Sequence, residues 1–321
     1  MMKKTLVALA AVAAAGGAFA QATMTGYIGF GYQSTTSSAG AVASGMGTDD
    51  GEINFAVAEK IDGLGDVSGQ MGFATYGNGD GAYGNDVKLS LKLNSGTSIT
   101  VGTTKGASYL TQGVASVGTA FNTNLSGKLF SSRSINDAVT IAIPLMEGVS
   151  LSVSHAEAAV TSYAIGSGAA GVSTQRYNTA SLGYKAGALA VDAGYRAYDN
   201  TTNASESSSN TRNRASASYD LGVAKVGFGF ESTQYMYGNS KTDSLLGVNV
   251  PMGALSLGAQ IAQVSTSGSA TAASNYNRNG YLLGANYNLS KQTYVAAHYY
   301  SYDAGTTTNP NGYQVVIYKG F

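Results

Sequence analysis

The sequence contains no cysteine and no tryptophan, and only three prolines among 321 residues. Without cysteine there is no disulfide scaffold and no thiolate site for zinc or an iron–sulfur cluster. Two histidines, His155 and His298, are too few for a histidine-rich metal centre. The scarcity of proline leaves strands unbroken. Charge is sparse at 11% and balanced, with 18 basic and 18 acidic side chains. That balance argues against a nucleic-acid partner, which needs a basic surface. Beyond the N-terminus no apolar run approaches the roughly 20 residues of a membrane-spanning helix.

What the chain has instead is 43 glycines, 22 tyrosines and one repeated pattern. From residue 22 onward, runs of about ten residues alternate apolar with small or polar, and a turn follows each. Val87, Leu89, Leu91 and Leu93 are separated by Lys88, Ser90 and Lys92; Val149, Leu151 and Val153 are separated by Ser150 and Ser152. Successive side chains of a strand point to opposite faces, so each run has one oily and one wet face. Mean hydropathy near zero suits such strands and is far below that of a helical membrane bundle.

The N-terminus reads as an export signal. Lys3 and Lys4 precede a short apolar stretch, Thr5 to Ala15, and Ala18-Phe19-Ala20 matches the small-x-small cleavage pattern. Residues 1–20 are therefore expected to be a cleaved signal peptide, and 21–321 a single transmembrane β-barrel domain. Removing Lys3 and Lys4 leaves 18 − 2 = 16 basic against 18 acidic residues, a net charge of −2.

The turns alternate in length. Short ones are Asp62–Asp66, Asn94–Gly96, Glu147-Gly148, Ala186-Gly187, Pro251–Gly253 and Ser290–Gln292; long ones are Ser34–Asp50, Lys105–Ser131, Ala159–Thr174, Asn200–Asn210, Ser265–Asn275 and Asp303–Asn311. Outer-membrane barrels have short periplasmic turns and longer external loops. About sixteen strands are predicted, an even number as single-chain bacterial barrels require. They lie at 22–33, 51–61, 67–76, 86–93, 97–104, 134–145, 149–157, 175–185, 188–198, 211–221, 223–235, 241–250, 254–264, 277–289, 292–302 and 312–321. The fold class is all-β: a transmembrane antiparallel barrel, wide enough for an aqueous lumen. Tyrosines near run ends, Tyr27 and Tyr32, Tyr195 and Tyr198, Tyr235 and Tyr237, Tyr299 and Tyr300, are expected to form the interfacial girdles.

Several segments carry a family resemblance. Ala22–Gly31, Phe55–Gly65, Asp86–Thr104, Tyr219–Val226, Tyr287–Thr293 and the closing Val315–Phe321 resemble, in order and spacing, strands and hairpins of Gram-negative trimeric porins of β-proteobacterial type. The resemblance covers 21–321 and implies a homotrimer of 16-stranded barrels in the outer membrane, in contact with lipid and lipopolysaccharide. It also implies that the third external loop, here Lys105–Ser131, folds into the lumen. That loop holds Lys105 and Lys128 and no acidic residue. The terminal strand, with Phe321, Ile317, Val315 and Tyr313 on one face, would be read by the barrel-insertion machinery. The chain departs from the family at Glu52, Ala56 and Thr103, where bases near the constriction are usual, and at Gly29, where an Asp is common in the first strand.

Parity assigns the inner wall. If Val87, Leu89 and Leu91 face lipid, then Asp86, Lys88 and Lys92 face the lumen. By the same rule Lys185, Asp192, Arg196, Arg212, Arg214, Asp220, Lys225 and Glu231 face inward, together with Glu52. Bases slightly exceed acids, which predicts a weak preference for anions. Asp49, Asp50 and Glu52 form the one tight acidic group; a solvated rim is favoured for it over a Ca²⁺ site, since no EF-hand-like spacing is present. Neither histidine has triad spacing, so no enzyme is expected. No cofactor is implied. The function expected is passive diffusion of ions and small hydrophilic solutes. The alternatives are a solute-specific channel, distinguished by a binding track on the wall, and a structural or adhesive surface barrel with a plugged lumen.

Overall fold

The computed structural model describes residues 21–75, 83–105, 110, 125, 129–130, 135–158, 176–199, 209–268 and 275–321. Sixteen strands run in chain order: β1 (Gln21–Thr36), β2 (Val42–Ile61), β3 (Gly65–Thr75), β4 (Tyr83–Leu93), β5 (Ser98–Lys105), β6 (Ile135–Met146), β7 (Val149–Ala158), β8 (Arg176–Ala186), β9 (Leu189–Asp199), β10 (Ser209–Asp220), β11 (Lys225–Tyr235), β12 (Ser240–Met252), β13 (Leu255–Ser267), β14 (Tyr276–Ser290), β15 (Thr293–Tyr302) and β16 (Asn311–Gly320). Each pairs antiparallel with its sequence neighbours, and β16 returns to β1, so the sheet closes into a barrel without an edge. Closure matters because an unpaired edge cannot persist in lipid.

The period-two pattern decides which face points out. Met24, Ile28, Phe30, Phe55, Phe73, Leu89, Leu246, Ile261, Leu283 and Ile317 are all exposed on the outer surface. Their sequence neighbours turn into the lumen. This is an inside-out arrangement for a soluble protein and the expected one for a membrane barrel. Tight hairpins join strands at one end; Gly63 and Gly148 adopt φ of 77° and 73° there, a backbone region that side chains disfavour.

One predicted feature differs. The first external connection is not a long loop: β1 and β2 continue as a paired hairpin up to Thr36 and Val42. Its Ser, Thr, Ala and Gly residues look like loop composition, yet pairing of both strands satisfies their backbone without apolar content. The connection between β11 and β12 is short, 236–239, close to the gap between the predicted strands 223–235 and 241–250. Residues 1–20, where the signal peptide is expected, lie outside the described residues.

Candidate functional site: the barrel lumen

The inner wall of β8 to β11 carries a row of arginines. Thr179, Arg196, Arg212 and Thr233 stand opposite one another in successive strand pairs. Arg196 Nε donates to Thr179 Oγ1 at 3.0 Å, and Arg212 Nε donates to Thr233 Oγ1 at 2.9 Å. The Arg196 guanidinium lies 3.8 Å from the centroid of the Tyr177 ring, and that of Arg212 lies 5.6 Å from Tyr198. An arginine over an aromatic face gains from the ring quadrupole. One register step away, Arg214 Nε lies 2.8 Å from Glu231 Oε2, and Arg212 Nη1 lies 3.3 Å from Glu231 Oε1. Lys241 Nζ meets Asp243 Oδ1 at 3.0 Å on the adjoining β12. One carboxylate thus serves two arginines, leaving this wall positive.

The acidic side is built by a β-bulge. Gly29 of β1 pairs with Asp50 while Phe30 pairs with Thr48, so Asp49 is the extra residue. The bulge lets both aspartates sit buried on the lumen side. Tyr27 Oη donates to Asp50 Oδ2 at 2.8 Å and to Glu52 Oε2 at 3.1 Å. Asp49 accepts from Gln314 and Tyr318 of β16, reaching across β1. That reach is open because β1 presents glycine there: a Cβ on Gly29 would strike the Tyr318 ring, and one on Gly31 would strike Val316. Tyr318, fully buried, stacks on Tyr294 at 4.8 Å and meets Tyr27 edge-on at 6.5 Å.

A third element crosses between these walls. The connection from β5 to β6 places Leu110, Leu125, Leu129 and Phe130 against Leu245 of β12, Ala262 and Val264 of β13, Leu282 of β14 and Tyr300 of β15. The strand β13 is eight positions from β5 in either direction around the barrel. Leu110, Leu125, Leu129 and Phe130 therefore dock on the wall opposite the strand they follow. Two glycines make room: a Cβ on Gly229 would collide with the Leu110 backbone, and one on Gly280 would lie 3.2 Å from Leu125 Cδ1 and Leu129 Cδ2. Leu125, Leu245 and Leu282 are at most 1% exposed. Burial of each such side chain contributes about 1.5–3 kcal/mol, so the crossing segment is held by apolar contact.

A sequence profile of the family described as Gram-negative porin matches residues 5–307. The chain belongs to the Gram-negative porins. The solved structures most like this porin include the anion-selective porin from Comamonas acidovorans, at 17% identity and TM-score 0.70, covering 94% of this chain and 100% of that one. OmpT of Vibrio cholerae lacking loop L8 aligns at 15% identity and TM-score 0.70, over 94% and 99% of the two chains. An engineered triple mutant of Rhodopseudomonas blastica porin aligns at 16% identity and TM-score 0.64, over 94% and 100%. No curated protein matches the chain by sequence. The porin is an integral β-barrel of the outer membrane and forms a channel for passive diffusion.

Most of the expected wall residues fall on the lumen side of this porin: Glu52, Asp86, Lys88, Lys92, Asp192, Arg196, Arg212, Arg214, Lys225 and Glu231 alternate with outward apolar neighbours. Of these, Arg196, Arg212, Arg214 and Glu231 come together, while Lys88 and Lys92 lie apart on β4. Lys105 ends β5, and its side chain is not among those described; Lys128 lies outside the described residues. Thr103 does not face the constriction. It pairs with outward Val87 and donates to Asp137 on the barrel exterior. Asp49 and Asp50 are not a solvated rim, because the bulge turns them under Tyr318 and Tyr27. No group of three or more His, Cys, Asp or Glu among the described residues could hold a metal ion.

The tyrosine girdle is half correct. Tyr32, Tyr195 and Tyr299 are exposed on the outside, whereas Tyr27 and Tyr198 alternate onto the lumen side and Tyr300 is buried beneath the crossing connection. Tyr313, Val315, Ile317 and Phe321 share the outward face of the last strand, with Phe321 over Gly26 of β1. Inward residues missed in the sequence are Lys241, Asp243 and Arg278, along with Leu245, Val264 and Leu282. The last three were legible as apolar residues at wet-face positions, a break in alternation that marks the docking strip.

Proposed function

We propose that this porin is weakly charge-selective, with a mild preference for anions. The supporting observation is the arginine row on β9 and β10, which stands opposite Asp49, Asp50 and Glu52 on β2, eight strands away around the barrel from β10. Opposed charges across a narrow lumen bias ions by sign, and their near balance keeps the bias small. Arg212 retains 20% side-chain exposure, more than Glu231 at 11%, so solute meets cation before carboxylate. The test is the zero-current potential across a bilayer under a salt gradient. A small anion preference is expected, and strong cation selectivity overturns the proposal.

A solute-specific channel would use a track of wall aromatics. His298, Tyr300 and Tyr302 do stack along β15, with ring separations of 6.0 and 6.3 Å. His298 and Tyr300 are buried, however, and Tyr300 packs under the crossing connection. They serve the docking strip better than a passing solute, so general diffusion is preferred. No catalysis is assigned. His155 faces Asn178 on the exterior, at 2.9 Å, away from the lumen.

The same reading includes assembly. Residues 1–20 are proposed as the export signal. Tyr313, Val315, Ile317 and Phe321 are proposed as the face offered to the insertion machinery, since they are outward and lie on the strand that closes the barrel. Three copies are proposed to associate in a bilayer containing lipopolysaccharide.

A further inference from the structure

The outer surface of a membrane barrel carries an apolar band about 25 Å tall. On β14 the outward residues Tyr281, Leu283, Ala285, Tyr287 and Leu289 cover eight residue steps, about 26 Å at about 3.3 Å per step. The strand enters from the long connection 268–275 and leaves by the tight turn at Lys291 and Gln292, so Tyr281 marks the external edge of the band. The next outward residue, Asn279, stands at the head-group depth of the outer leaflet. Register carries this boundary sideways. Leu246 of β12, Ile261 of β13 and Tyr281 of β14 stand opposite one another, with Phe228 of β11 opposite Leu246. One outward position higher, Ser244, Gln263 and Asn279 form the next row. From β12 to β14 the outward face thus changes from apolar to polar in one step.

A trough of about 880 Å³ runs along this change. Phe228, Leu246, Ile261 and Tyr281 line its membrane side, and all four are exposed. Ser244, Gln263 and Asn279 line its external side, and Ser301, Asp303 and Asn309 close it at the β15 end. Between the two rims, Ala262 and Gly280 send no side chain outward. A depression with one apolar and one polar rim, at head-group depth, matches an amphiphile where its head joins its tails. Tyr281 adds a ring beside that of Tyr299, 6.0 Å away, and a tyrosine has an apolar body and a polar tip suited to this depth.

Charge decides which amphiphile. No lysine or arginine lines the trough, and its one ionisable group besides the tyrosine is the Asp303 carboxylate, whose Oδ1 accepts from Gly305 N at 2.6 Å. The row above it, Ser232, Thr242, Ser265 and Asn277, is again neutral. Lipid phosphates are ordinarily met by lysine or arginine. A phosphate in this trough would find no base and would face a carboxylate. Sugar hydroxyls and acyl amides both donate and accept hydrogen bonds, as do serine, asparagine and glutamine. We propose that the trough across β11 to β15 seats one glycolipid of the outer leaflet, held at its sugar hydroxyl and acyl-amide groups and not at phosphate. The proposal rests on the lipopolysaccharide-containing bilayer proposed above and gives one of its molecules a fixed place on the wall.

The test uses native mass spectrometry of the folded porin in lauryldimethylamine oxide. Three probes are added separately: lipid A, lipid A stripped of its phosphates, and phosphatidylglycerol. One lipid A per barrel should survive activation that removes all others. The phosphate-free form should survive equally, and phosphatidylglycerol should not. Gln263→Leu with Asn279→Leu should weaken that last site about tenfold, while the heat-modification temperature stays at the parental value. Ser244→Trp, which fills the trough from its β12 side, should cause the same loss and serves if the double variant does not fold. Loss of retention on removing the phosphates overturns the proposal, as does equal retention of phosphatidylglycerol. Lipid A held alike by parent and variants overturns the seat but leaves the glycolipid bilayer standing. A parent that holds no lipid A removes both.

Discussion

Arg196 and Arg212 are directly paired across β9 and β10, side by side on the lumen wall, and each holds a threonine of the next strand through Nε. Two guanidiniums in register repel each other. The arrangement is tolerable because the Tyr177 and Tyr198 rings lie beside them and Glu231 bridges Arg212 to Arg214. The wall thus divides labour between a more exposed cation, Arg212, and a buried one, Arg214, that holds the carboxylate.

That division yields separable outcomes. Arg212→Gln should shift the zero-current potential toward cations while leaving the heat-modification temperature on gels near that of the parent. Arg214→Gln should act chiefly on stability, because it removes the buried partner at 2.8 Å and leaves Glu231 only the more exposed Arg212 at 3.3 Å. Breaking such a pair costs about 3–5 kcal/mol. Equal stability of the two variants would refute the assignment.

The crossing connection should respond to its docking strip. Leu282→Asn places an amide against Leu125 and Leu129, and loss of a buried leucine typically costs about 2–5 kcal/mol. The cost falls on the docked segment, not on the strand ladder. Single-channel current should become larger and noisier, with β content by circular dichroism unchanged. Parental conductance and noise would show that this contact does not hold the segment in the lumen.

Gly29 and Tyr318 should behave as a pair. Gly29→Ala forces its Cβ into the Tyr318 ring, and overpacking of this kind costs about 1–3 kcal/mol. Tyr318→Phe removes the hydroxyl that serves Asp49. The heat-modification temperature should fall in each single variant. Adding Tyr318→Ala to Gly29→Ala should recover part of the loss caused by the alanine, since the clash then disappears. A strictly additive double variant would contradict the packing seen at the β1–β16 seam.

The last strand can be tested by charge. Ile317→Asp puts a carboxylate on the lipid face, with a cost of up to about 2–4 kcal/mol that depends on depth. Less protein should reach the outer membrane, and more should remain protease-sensitive in the periplasm. Val316→Ala, on the lumen side, should assemble at parental levels. Normal surface levels of Ile317→Asp would mean that this face does not meet lipid.

The sequence carried the barrel well because one rule, alternation, governs every strand, and the rule survives uncertainty at strand ends. Leu89 and Arg212 could each be placed on a face from their immediate neighbours. It failed where register is set by a partner. Asp49 and Asp50 looked like loop residues, since a bulge opposite Gly29 leaves no mark in composition. Family resemblance alone points Thr103 at the constriction, although its own strand parity with Val101 places it outside. Position along the run points Tyr27 and Tyr300 to the girdles, but face, which decides, puts both inside. The docking strip was visible only as Leu245, Val264 and Leu282 in wet positions, and what covers them is eight strands away around the barrel.

The central claim is an open aqueous channel narrowed by a segment docked across it. Single-channel recording in a planar bilayer tests it most directly. Folded, heat-modifiable protein should give discrete current steps whose conductance rises in proportion to salt concentration. Leu282→Asn should enlarge those steps. Folded protein that inserts but passes no current at any salt concentration would contradict the account and favour a plugged surface barrel.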